Sequence, residues 1–173
     1  MDPDTNMTRR DFAEWSVAAA VGTTSAVALG SRTAYAADTA ELRSELLFDL
    51  VFTAMAPNEI GPERTVVGVA GGTFEGPKLK GRVIGPSGDW LVQRRDGSKL
   101  IDVRALLETD DGQHIYMACR GIAYTPPSGT FRSRIVPMFE TGAAKYAWLN
   151  NVVAVGVYNP AAGKIAYRVY EIL

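Results

Sequence analysis

The chain holds one cysteine, Cys119, and one histidine, His114, among 173 residues. A single thiol excludes an intramolecular disulfide. One imidazole and the lack of any Cys-x-x-Cys exclude the usual zinc sites. The alternation of Met117, Cys119 and Gly121 marks Cys119 as a small buried hydrophobe. His114 directly follows a turn and is expected to be exposed. Ser87, Ser98, Ser128 and Ser133 stand outside any Gly-x-Ser-x-Gly context, which disfavours a hydrolase triad. Net charge is −1, with no basic patch, so neither nucleic acid nor an anionic membrane is an expected partner. Asp110-Asp111-Gly112 lacks the further carboxylates of a calcium loop. No nucleotide, haem or iron–sulfur motif, internal repeat or heptad pattern is present, and no cofactor and no metal are expected.

The apolar run Trp15–Leu29 is shorter than the roughly 20 residues of a membrane span. It follows Thr8-Arg9-Arg10-Asp11-Phe12, which resembles the twin-arginine export motif, and precedes Ala34-Tyr35-Ala36, a small-x-small cleavage pattern. The expectation is a signal peptide over 1–36, a flexible leader over 37–45 and one domain over 46–173. The mature protein would be periplasmic or secreted, without an integral membrane span. Its length falls in the commonest single-domain range, roughly 100–150 residues.

What fills that length reads as strands. Leu46, Phe48, Leu50 and Phe52 alternate with Leu47, Asp49, Val51 and Thr53 up to the turn signal Ala56-Pro57-Asn58. A β-branched run follows Arg64 and reaches the paired glycines Gly71 and Gly72. Leu79–Ile84 and Trp90–Arg95 read as two strands parted by Gly85-Pro86-Ser87-Gly88. Asp96-Gly97 and Asp111-Gly112 are hairpin turns on either side of the longest strand, Ser98–Thr109, and they predict three consecutive antiparallel strands. Pro137 demotes Phe131–Glu140 to an edge, whose exposure would permit a homodimer. Thr141–Asn150 is a loop or a helical turn, and two strands close the chain. The fold class is all-β, a barrel or sandwich of about nine strands.

Two faces of the longest strand differ in kind. Ile101, Val103, Ala105 and Leu107 make one uniformly apolar face; Leu100, Asp102, Arg104, Leu106 and Glu108 make a mixed one. The mixed face is either a solvated exterior with a weak ion pair or the polar wall of a small-molecule site in a barrel lumen. In the second case Arg104 would hold a carboxylate or enolate oxygen, and Asp102 would align it or act as a base. Glu75 lies in the tight stretch Phe74-Glu75-Gly76-Pro77, suited to a barrel rim or an ordinary turn. Asp89-Trp90 sets an acid beside an aromatic plane, although core packing also explains the tryptophan. Tyr146, Trp148 and Asn150 form an aromatic and polar group suited to ligand contacts or to capping a strand entry.

The order of Gly61-Pro62-x-Arg64, Gly71-Gly72-x-Phe74-Glu75-Gly76-Pro77-x-Leu79-x-Gly81, Gly88-Asp89-Trp90, Arg95-Asp96-Gly97, Asp102-x-Arg104, Thr109-x-Asp111-Gly112 and Tyr146-x-Trp148-Leu149-Asn150 resembles the domain of unknown function three-two-three-seven family over Leu46–Leu173. The resemblance implies a single compact antiparallel β-barrel of about eight to ten strands, lipocalin-like in outline, without an established general activity and hence with no catalytic residue to carry over. It also implies that Glu75, Asp89, Trp90, Asp102, Arg104, Tyr146 and Asn150 line one pocket. On this reading the protein is a cofactor-independent isomerase, cyclase or lyase acting on a small apolar or aromatic carbonyl compound. Asp102 or Glu75 would be the base, Arg104 and Tyr146 would stabilise developing negative charge, and Asp89, Trp90, Trp148 and Asn150 would contact the ligand. A non-catalytic binding barrel and an interaction protein without a pocket are the alternatives.

Overall fold

The computed structural model describes residues 41–160 and 165–173. The expected signal peptide and its cleavage site lie outside them.

Eight strands follow one another around a closed barrel: β1 (Ser44–Glu59), β2 (Arg64–Glu75), β3 (Lys80–Gln93), β4 (Lys99–Thr109), β5 (His114–Tyr124), β6 (Arg132–Glu140), β7 (Ala154–Tyr158) and β8 (Ile165–Ile172). Every neighbouring pair is antiparallel, and β8 returns to pair with β1. Closure leaves neither β1 nor β8 at an outer edge, although β6 pairs with β7 only at Arg134 and Ile135. The alternation read from the sequence sets the two faces: Ile101, Val103, Ala105 and Leu107 of β4 all point inward and are buried. Both Asp-Gly turns form as expected, with Gly97 at φ 83° and Gly112 at φ 76°. In each turn the aspartate is held by a neighbouring side chain. Ser98 donates its amide (2.9 Å) and hydroxyl (2.7 Å) to Asp96 Oδ1, and Thr109 Oγ1 donates to Asp111 Oδ1 at 2.5 Å.

Eight strands form where the turn signals suggest nine, because Gly85-Pro86-Ser87-Gly88 bulges without breaking the strand. Pairing passes from Ile84–Leu106 to Gly88–Arg104, so β3 spends four residues where β4 spends two. Ser87 fills the gap: its hydroxyl donates to Ile84 O at 2.6 Å and accepts from Leu106 N at 2.9 Å. Two extra residues preserve the inward–outward phase, so Asp89 faces the same side as Val83. Likewise β1 starts at Ser44, inside the expected leader, and runs through Ala56-Pro57-Asn58 with two register shifts. Its partner β2 bulges at the paired glycines. A Cβ on Gly72 (φ 153°) would collide with the Val51 carbonyl.

Pro137 does not make β6 an edge. The strand pairs along its whole length with β5 and is fully buried at Pro137. Its ladder to β7, however, consists of Arg134–Val157 and Ile135–Gly156. Pro137, which has no amide hydrogen, lies beyond the end of that ladder.

The interior is asymmetric from end to end. Near one end Phe48 packs edge-on against Phe74 and Phe139, at centroid distances of 5.6 and 5.8 Å. There a 3-10 helix, Ala144–Asn151, crosses beneath the barrel and buries Tyr146 and Leu149. The opposite end, where β1–β2, β3–β4 and β5–β6 are joined, is filled less completely.

Candidate functional site

The less-filled end encloses a cavity of about 60 Å³, walled by Phe52, Val69, Leu91, Ile101, Val103 and Ile135 together with Asp89, Cys119 and Tyr167. At roughly 10–15 Å³ per water-sized sphere, that admits the head of a small molecule. The cavity shares Ala54, Val67 and Leu91 with a vestibule of about 350 Å³ at the barrel mouth, bounded by Met55, Pro57, Glu59, Thr65, Gln93 and Lys99.

Asp89 supplies the charged side chain of the inner wall. Its position follows from the ladder. Asp89 pairs with Val103, whose side chain also faces inward, and pairing resumes only at Val92–Leu100. In that gap the Asp102 amide donates to Asp89 Oδ1 at 3.1 Å. Burial raises the carboxyl from its ordinary value to about 6, the Asp102 amide pulls it back, and the Asp102 charge adds to the rise. Such a group exchanges its proton near neutrality, as a general acid or base must.

Tyr167 of β8 lines the same hollow, and Ser133 of β6, which does not line it, reaches the Tyr167 hydroxyl. Their hydroxyls lie 3.0 Å apart, both residues are buried, and burial pushes the phenol up to about 12. Burial also raises the Cys119 thiol to about 12, so it stays protonated and packs as the small hydrophobe expected of it.

The residues expected to share one pocket are brought to three places. Asp89 alone of them reaches the lumen. Asp102, Arg104 and Trp90 lie on the outer wall, where Asp102 and Arg104 pair at 3.3 Å with side chains 33% and 47% exposed. The Arg104 guanidinium sits 5.4 Å from the Trp90 ring centre. The inward reading of the mixed face is therefore corrected: a closed barrel places the uniformly apolar face inside, since burying Asp102, Arg104 and Glu108 there would strand charges away from water. The third place is the helix-plugged end. Tyr146 donates its phenol to Asp111 Oδ1 at 3.0 Å, beside the Lys145 ammonium at 2.6 Å from Oδ2. Asn150 exchanges two bonds with the Thr141 backbone, 2.8 and 3.0 Å. Trp148 is half-buried beneath Lys78, and Glu75 is exposed at the end of β2. His114 is exposed as expected and lies 3.5 Å from Glu108.

Sequence reasoning missed Tyr167 and Ser133. A usable signal was present in their phase: Tyr167 alternates with Val169, and Ser133 with Ile135, Pro137 and Phe139. Each is a polar group on an otherwise apolar face.

The family model described as "Protein of unknown function (DUF3237)" matches residues 42–172, essentially the entire barrel. The chain belongs to this family. Among solved structures, a β-barrel-like protein of Acinetobacter baumannii AYE is 31% identical, with a TM-score of 0.72 over 77% of this chain and 97% of its own. An enzyme from Penicillium herquei is 26% identical, with a TM-score of 0.63 over 76% of this chain and 95% of its own. A hydroalkoxylation enzyme of Penicillium herquei is 36% identical over 90 residues, 51% of this chain and 52% of that protein. The barrel is thus similar both to a β-barrel-like protein and to an enzyme.

Proposed function

We propose that this member of the family is an exported acid–base isomerase or cyclase that needs no cofactor, acting on a small apolar or aromatic carbonyl compound, with Asp89 as its proton carrier. The observation that carries the reading is the Asp89 carboxyl, raised to about 6 within an apolar hollow that shares Ala54, Val67 and Leu91 with the vestibule at the barrel mouth. Hydroalkoxylation, the activity named for the Penicillium herquei relative, adds an O–H across a carbon–carbon double bond. It is redox-neutral and requires one proton to leave oxygen and one to reach carbon. A single carboxyl can serve both transfers.

Asp102 contributes through its main chain. Its amide orients Asp89 and favours the ionised form, while its side chain points away and pairs with Arg104. The apolar wall excludes water and selects a hydrocarbon or aromatic body. The twin-arginine pair Arg9-Arg10 and Ala34-Tyr35-Ala36 support export to the periplasm or beyond; the N-terminal residue of the protein recovered from that compartment tests it, with Ala37 expected.

Turnover tests the catalytic assignment. Purified protein is offered hydroxyl-bearing alkenes and enones, and ring closure is followed by chromatography. Activity should fall at least a hundredfold in Asp89→Asn while ligand affinity changes little, and kcat/KM should rise with pH through about 6 as the base ionises. Undiminished turnover in Asp89→Asn would refute the role of Asp89. Ligand binding with no turnover by the wild type would make the protein a binding barrel.

A further inference from the structure

We propose that Tyr167, held by Ser133, is the hydrogen-bond donor for a substrate carbonyl oxygen, and that the substrate is therefore a conjugated carbonyl compound carrying its own hydroxyl. This rests on the acid–base reading of Asp89 and adds the second half of the site.

Ser133 and Tyr167 carry two O–H groups and share one hydrogen bond at 3.0 Å, and neither hydroxyl has another bond among the described residues. Ser133 has no exposed surface and does not line the cavity. Were it the acceptor, its own proton would point into protein with nothing to receive it, which is costly for a buried donor. Ser133 therefore donates to the Tyr167 oxygen, and the Tyr167 proton is left to face the hollow. Among the described residues no hydrogen bond joins Tyr167 to Asp89 or Cys119, the other polar side chains of that wall. The phenol keeps its proton at all ordinary pH, so it donates and does not act as a base.

An apolar hollow with a carboxylate and an unclaimed phenolic donor matches a ligand that carries both a hydroxyl and a carbonyl. Conjugation between that carbonyl and the double bond makes the two groups cooperate. Asp89 takes the hydroxyl proton, and the oxygen lone pair forms a C–O bond to the β-carbon. The π pair of the double bond shifts towards the carbonyl, giving an enolate whose oxygen receives the Tyr167 hydrogen bond. Protonated Asp89 then returns its proton to the α-carbon and the carbonyl reforms. Atoms and electrons balance without a co-reactant.

Binding separates this inference from the reading on which it rests. The probes are ortho-hydroxyphenyl propyl ketone, a saturated analogue that cannot react, and ortho-butylphenol, in which a methylene replaces the carbonyl. The full-length mature protein should bind the ketone about tenfold more tightly, and the bound carbonyl stretch should move to lower frequency. Tyr167→Phe should abolish both the preference and the shift; Ser133→Ala, if Tyr167→Phe folds poorly by circular dichroism, should weaken both. Asp89→Asn should leave the preference in place while removing turnover of ortho-hydroxyphenyl propenyl ketone. Equal affinities in the wild type, no binding of either probe, or a preference indifferent to Tyr167 and Ser133 would each overturn the proposal. Failure of Asp89→Asn to affect turnover would instead refute the acid–base reading.

Discussion

The Asp102 main-chain amide donates to the Asp89 carboxylate at 3.1 Å, although the two side chains face opposite sides of the barrel wall. One aspartate thus lends its backbone to the inside and its charge to the outside. The site depends on this division, because a carboxylate in an apolar hollow needs a donor to remain ionisable near neutrality.

Stability should carry the mark of Asp89. Its carboxyl is raised above the unfolded value of 3.8 to about 6. The folded state therefore holds the proton more tightly, and this contribution is complete below the lower value and lost as pH rises through the upper one. Between those limits the wild type should lose about 2 kcal/mol that Asp89→Asn does not, after allowing for a partly solvated site. Denaturant midpoints of the two proteins at both extremes check it.

Asp102→Asn keeps the amide and removes the charge that helps to raise Asp89. The Asp89 titration should move down from about 6, which carboxyl-labelled NMR would register. An unchanged or higher midpoint would contradict the arrangement. Loss of the exposed ion pair with Arg104 should itself cost under about 1 kcal/mol.

Tyr146 should prove structural. Its buried phenol donates to Asp111, whose carboxyl is held well below the ordinary range first by the Lys145 ammonium and then by Thr109 and Tyr146. Tyr146→Phe should cost about 1 kcal/mol and leave lumen affinity unchanged in a titration with the saturated ketone. Because Asp111 is depressed, its contribution is present above the unfolded value of 3.8 and fades as pH falls.

Ile135 occupies space that two glycines leave free. A Cβ on Gly156 would approach Ile135 Cγ1 to 2.5 Å, and one on Gly121 would meet Ile135 Cγ2 at 2.8 Å as well as the Arg134 carbonyl. Gly156→Ala should destabilise by about 1–3 kcal/mol. Adding Ile135→Ala, which removes the impinging atoms, should make the double variant more stable than the sum of the singles predicts, by at least about 0.5 kcal/mol in urea unfolding.

Much of the barrel could be read locally. Alternation assigned Ile101, Val103, Ala105 and Leu107 to one face, and the Asp-Gly pairs placed two hairpins, because a period of two and a positive φ are properties of neighbouring residues. Gly85–Gly88 was misread as a break because its compensation comes from Leu106, nineteen residues along the chain from Ser87. The Pro137 edge was misread for a related reason: whether a missing amide matters depends on which partner ends where.

Composition and periodicity determined by themselves that this is an all-β chain, with Cys119 inside and Asp102 and Arg104 sharing a face. Only the closed tertiary structure decided which face is the interior, and it chose the apolar one because the cost of burying ions exceeds what one pair can return. It also decided that Asp89 and Tyr167, from separate strands, line one hollow, with Ser133 from a third strand bonded to Tyr167. Ring closure sets those distances, and no stretch of neighbouring residues contains them.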